Sequence, residues 1–197
     1  LKGEMPKAMS FTFKNITFAS TRRNDGFGLE HFKYDDSSES ILVTHIATGS
    51  PSRYGLVEEC LFRGFDKCFN LIPSEEHYQW GTLMCNFMIT SSHFYKDNSY
   101  AIWIDGKTFS GQRIDSVTNL LVTNCGIYAN VHLYDLYGAN CFKNCIFEGR
   151  LNQIDCNLAD GALVFEQCYF EYQKKECTNR FTSENGRATF SFEGCYN

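Results

Sequence analysis

The side chains of this sequence best suited to chemistry are the carboxylates of Asp105, Glu148, Asp155 and Glu171, the imidazole of His132, and the rings of Trp80, Trp103 and Tyr134. A ring offers a sugar an apolar face to stack on, and carboxylates or an amide such as Asn157 bond its hydroxyls, so the set fits glycan recognition. Paired carboxylates can also cleave glycosidic bonds, one protonating the leaving oxygen while the other serves as base or nucleophile. Whether residues so far apart in sequence meet is decided by the elements that carry them.

Those elements come from a six-residue pattern. VTNCGI at 122–127 and FKNCIF at 142–147 share the order apolar, exposed, turn residue, small residue, exposed, large apolar. The order recurs as FKNITF at 13–18, VEECLF at 57–62, ITSSHF at 89–94, FEQCYF at 165–170 and FEGCYN at 192–197. Successive turn residues are 44, 32, 33, 20, 23 and 27 apart, the mark of a coil of constant cross-section that carries insertions. Two short alternating strands meet in each copy at one left-handed residue, a place suited to Asn or Gly and less so to Glu59 or Gln167.

A third strand per turn falls at 42–46, 69–72, 102–105, 131–134, 154–157 and 181–184. Three short strands per period, no helical periodicity and only 3 prolines predict an all-β fold, a right-handed single-stranded parallel β-helix of seven rungs. It forms one domain over 1–197, with insertions at 19–40, 73–84 and 106–118. The last two leave the coil after corresponding strands and so rise on one side, where they could wall a groove. Gly138, Gly161 and Gly186 mark the turns of the later rungs. The start at Leu1 and the close inside a seventh motif lead us to expect a piece of a longer, uncapped solenoid.

Alternation along each strand sorts the chemical residues into outward columns. One is expected to run Asn70, Trp103, His132, Asp155, Thr182, and its neighbour Asp105, Tyr134, Asn157, Glu184. These form either a glycan-binding surface or an ordinary solvated face. A separate column holds Arg63, Tyr95, Tyr128, Glu148 and Glu171. Glu148 and Glu171, one rung apart, suit the close spacing of a retaining glycosidase, and Asp105 with Asp155 the wider spacing of an inverting one. An apolar stripe of Leu61, Ile146, Tyr169 and Tyr196 calls for cover by a loop or a sister chain.

Bulk composition narrows the partners. A net charge of -5 and a pI near 5.5 weigh against nucleic acid, and no run of 18 apolar residues offers membrane insertion. Of 10 cysteines, Cys60, Cys125, Cys145, Cys168 and Cys195 share one inward repeat position and read as a ladder of reduced thiols. Assembly in a reducing cytoplasm fits that ladder, and no metal or other cofactor is expected. Asn15 heads a glycosylation sequon, but its place in the repeat gives it a structural role.

The repeated motif with its Asn turn resembles the rungs of the pectate lyase-like superfamily, including phage tailspikes, over nearly the whole chain. The resemblance implies a side-by-side homotrimer in a virion, binding and in some cases depolymerising a bacterial cell-surface polysaccharide. It equally admits a non-catalytic structural β-helix or adhesin, or an extracellular bacterial lyase or epimerase. The Gly-His-Gly and Arg-Ile-Lys motifs of polygalacturonases are absent, Asp35 and Asp36 lie in a loop, and no Arg is expected beside the Trp103 column.

Overall fold

The structure is a computed structural model that describes residues 2–5, 10–20, 41–47, 54–72, 82–109, 111–148, 153–158, 160–171 and 179–196. Every described element is a strand, and three all-parallel sheets stack as the faces of a parallel β-helix. The first sheet orders β1 (Lys2–Met5), β4 (Ile41–Ala47), β7 (Lys67–Leu71), β11 (Tyr100–Asp105), β16 (Asn130–Tyr134), β19 (Ile154–Leu158) and β22 (Arg180–Ser183). The second orders β2 (Phe11–Lys14), β5 (Gly55–Glu58), β9 (Phe87–Thr90), β14 (Leu120–Thr123), β17 (Ala139–Lys143), β20 (Ala162–Glu166) and β23 (Thr189–Glu193). The third joins β3 (Thr17–Ala19), β6 (Leu61–Arg63), β10 (His93–Phe94), β15 (Gly126–Ile127), β18 (Ile146–Glu148) and β21 (Tyr169–Glu171).

The corner between second and third sheets is two residues wide, and the repeat explains why. Asn15, Glu59, Ser91, Asn124, Asn144, Gln167 and Gly194 all take a left-handed backbone, with φ between 48° and 62°. The next residue is buried on the rungs of Cys60, Ser92, Cys125, Cys145 and Cys168, and there the cysteines stack. Cys145 and Cys168 each donate a thiol hydrogen to carbonyls on their own and the preceding rung. All nine described cysteines are free. Contact with Cys125 comes first, and burial adds to it, in pushing the Cys145 thiol up to about 12.

Phenylalanines form face-to-face columns in an interior shared with Ile, Leu and Val, and Phe192 ends its column half-exposed. Phe18, Phe62 and Phe94 stack at centroid distances of 5.3 and 4.7 Å, and Phe142, Phe165 and Phe192 at 5.3 and 5.0 Å. Each buried ring contributes about 1.5–3 kcal/mol by leaving water. Among the polar residues enclosed with them, Asn140 receives the Leu120 N–H and donates to the carbonyls of Tyr137, Gly138 and Ala162.

Two insertions meet beside the coil, as expected from where they leave it. The stretch after β11 folds back as an antiparallel pair, β12 (Lys107–Phe109) and β13 (Gln112–Val117), and β13 pairs in parallel with β8 (Thr82–Met84). Residues 106–118 are therefore largely strand rather than loop. Most of 19–40 and 73–81, with Trp80, lie outside the described residues.

Candidate functional site

On the first sheet the outward columns form as the alternation requires, with a correction at the last rung. Trp103 lies opposite Asn70 and His132, and His132 opposite Asp155, but the residue opposite Asp155 is Arg180, not Thr182. Thr182 instead follows Asp105, Tyr134 and Asn157, in the place expected for Glu184. The strand is set two residues further along because Phe181 packs against Phe165 and Phe190, opposite Cys156. The Asn179 side chain then takes up the Ile154 N–H, at 3.0 Å. An even shift preserves which residues face inward, so alternation alone could not detect it. An arginine thus enters the patch that the sequence reading left without one.

The rings of this column are stacked on one another. His132 lies between Trp103 and Tyr134, each centroid 4.0 Å away, at interplanar angles of 16° and 24°. From the preceding rung, Lys67 Nζ sits 4.4 Å from the Trp103 centroid, and Tyr100 meets the same ring edge-on at 4.6 Å. Both faces of Trp103 are therefore covered within the chain, leaving none for a sugar. Asn70 Oδ1, Trp103 Nε1 and His132 Nε2 are shut off from solvent without a hydrogen-bond partner.

Asp155 is likewise committed. Arg180 grips it with Nε 2.7 Å from Oδ1 and Nη2 2.9 Å from Oδ2, and the Tyr134 hydroxyl donates to both oxygens at 3.3 and 3.2 Å. Arg180 Nη2 also contacts the Tyr134 oxygen. Asp105 stands two rungs away in the other column, about 10 Å along the coil, so the structure does not bring these two carboxylates together as a pair. Burial pushes the His132 imidazole down; Asp105 and Asp155 oppose that, and Arg180 and Lys67 reinforce it.

The third sheet holds its columns in the expected register. Glu148 lies directly opposite Glu171, and burial, assisted by the charges of Glu148 and Glu171, raises the nearby Tyr128 phenol. Two residues back along these strands, Ile146, Tyr169 and Tyr196 follow one another rung by rung. Among the described residues no group of three or more His, Cys, Asp or Glu side chains could hold a metal ion, and no helix is long and apolar enough to cross a membrane.

One open groove, about 470 Å³, runs along the corner of the last three rungs, lined by Asn144, Ile146, Gln167, Tyr169, Gly194 and Tyr196 with Cys145 beneath. Tyr196 is 62% exposed and its ring lies 5.1 Å from that of Tyr169. Asn144 donates from its amide nitrogen to Asn124 at 3.2 Å, its oxygen accepts no bond among the described residues, and none holds the Gln167 amide there. Gly194 adds no side chain to block the third rung. Sequence reasoning took Asn144 and Gln167 only as turn residues and Tyr169 with Tyr196 only as a stripe to be covered. Their shared signal is adjacency across the turn: the left-handed turn residue and the residue two after it line the same hollow on each of these rungs.

No protein-family model matches the chain, and neither a curated protein nor a solved structure does.

Proposed function

We propose that this chain is a polysaccharide-binding β-helix segment of the phage tailspike or receptor-binding type, with a bacterial surface glycan held in the corner groove. The observation that carries this reading is the meeting, in one open groove, of the exposed Tyr196 ring and the half-buried Tyr169 ring with the unspent Gln167 amide and the Asn144 oxygen. Rings stack on the apolar face of a sugar and amides bond its hydroxyls in both directions. No charged side chain lines the groove, so the favoured stretch of glycan is neutral.

Binding without cleavage is the first reading, because Asp155 is bound by Arg180 and Tyr134 and stands apart from Asp105. Depolymerisation is a second reading, favoured by the direct opposition of Glu148 and Glu171 two residues beyond Ile146 and Tyr169 on the same strands.

A panel of bacterial capsules and O-antigens, screened for binding and for release of reducing ends, tests both. Tyr169→Ala or Tyr196→Ala should weaken binding roughly tenfold, about the worth of one stacked ring in a partly exposed site. Affinity unchanged in both variants would end the groove assignment. Reducing ends that vanish in Glu148→Gln and Glu171→Gln would favour the depolymerase; none from wild type would leave a binder.

A further inference from the structure

The outward face of the second sheet carries two neighbouring columns that play no part in the groove. One is apolar: Leu56, Met88, Leu121, Cys141 and Val164 lie opposite one another on consecutive rungs. Met88 is 39% exposed and the other four are half-buried. Beside it, two residues along each strand, run Lys14, Glu58, Thr90, Thr123, Lys143, Glu166 and Glu193. Lys14 bridges Glu58 at 3.0 Å, Lys143 bridges Glu166 at 2.6 Å, and Thr123 bonds Thr90 at 3.0 Å.

The order of this second column is self-complementary when reversed. A two-fold axis parallel to the strands, between the Thr90 and Thr123 rungs, turns the face onto a copy of itself with rung order inverted. Each column then meets the same column of the copy. Lys14 comes opposite Glu166, Glu58 opposite Lys143, and Thr90 opposite Thr123, so each of these four charges faces its opposite, and Glu193 falls one rung beyond the copy's Lys14. In the apolar column Met88 meets Leu121 and Leu56 meets Cys141. A slip of one rung either way breaks the match, placing Lys14 over Lys143 or Glu58 over Glu166. Opposite charges set register while desolvated apolar side chains supply affinity, and here both select one alignment.

We infer that this face is an isologous interface at which two copies of the chain stack sheet on sheet with their coils antiparallel, an assembly different from the side-by-side homotrimer that the resemblance implies. The apolar column forms the buried core, and two clusters of four charges, Lys14 and Glu58 of one copy with Glu166 and Lys143 of the other, close its edge. The inference stands apart from glycan binding, since none of the residues of these two columns lines the groove, which runs along the adjoining corner.

Light scattering coupled to gel filtration, over a range of concentrations of the 197-residue chain, reads the mass directly. A dimer is expected. Lys143→Glu, which sets like charges opposite at Glu58, should weaken it roughly tenfold or more, with an unchanged circular dichroism spectrum. The fourfold exchange Lys14→Glu, Glu58→Lys, Lys143→Glu, Glu166→Lys restores all pairs within and between copies and should restore the dimer. Register is read separately: Leu56→Cys should be joined to Cys141 of the second copy by a short bis-maleimide, and Met88→Cys should not. A monomer at every concentration, a trimer, or a dimer indifferent to Lys143→Glu would overturn the inference.

Discussion

Single residues set the corners of this molecule, and their side chains do so at unequal cost. A left-handed backbone suits Gly and Asn but costs other residues roughly 1–2 kcal/mol, and Glu59 adopts φ 53° all the same. Glu59→Asn should therefore raise the unfolding free energy by about 1 kcal/mol, seen as a later denaturation midpoint; an earlier midpoint would mean that Glu59 makes a compensating contact. One residue further in, Cys145 gives its thiol hydrogen to the Val122 and Lys143 carbonyls. Cys145→Asp sets a carboxylate against those oxygens inside the stack and should cost several kcal/mol. A melting curve that stayed in place would refute the inward thiol ladder.

His132 ties the residue scale to pH. Burial favours its neutral form, so the folded chain holds fewer protons there than the unfolded chain, whose imidazole titrates near 6.5. Stability from this group is then at its full value above about pH 6.5 and falls as pH drops toward the depressed folded value. Melting points taken at about pH 7 and about pH 5 should separate more in wild type than in His132→Gln. Equal drops would argue against a neutral imidazole enclosed between Trp103 and Tyr134.

At the scale of strands, pairing register decides what touches what. Asn140 shows how a polar residue can hold register inside an apolar coil, because its amide bonds backbone groups on three successive rungs. Asn140→Leu leaves the Leu120 N–H buried without a partner, which should cost about 1–3 kcal/mol and speed hydrogen exchange at that amide more than at its strand neighbours. Uniform protection in the variant would show that the bond is dispensable. The last strand of the first sheet shows the converse. There the Phe181 ring, packed between Phe165 and Phe190, and the Asn179 side chain select an alignment two residues from the one suggested by alternation, and Arg180 thereby reaches Asp155.

The molecule as a whole is a stack whose rungs touch only their neighbours, and those neighbours are 20 or more residues apart in sequence. Loop closure must precede almost every favourable contact, so folding should be slow for the chain's size, with relaxation on the order of seconds. Stopped-flow refolding that finished within about a millisecond would contradict a stack built by distant pairings.

Much of this architecture could be read directly from residue order. The six-residue motif located every left-handed corner between the second and third sheets, including the unfavourable Glu59 and Gln167, because a sharp turn between alternating strands accounts for that pattern. It also placed the cysteine ladder and the Glu148–Glu171 alignment, since both follow from inward and outward alternation once the corners are set. Alternation fixes parity but neither the partner a ring prefers nor the space left beside it. Only the tertiary structure decided that Trp103, His132 and Tyr134 spend their faces on one another, that Arg180 occupies Asp155, and that the open hollow lies beside Tyr169 and Tyr196. The physical reason is that stacking, ion pairing and concavity depend on distances across rungs, and those distances exist only once the coil is wound.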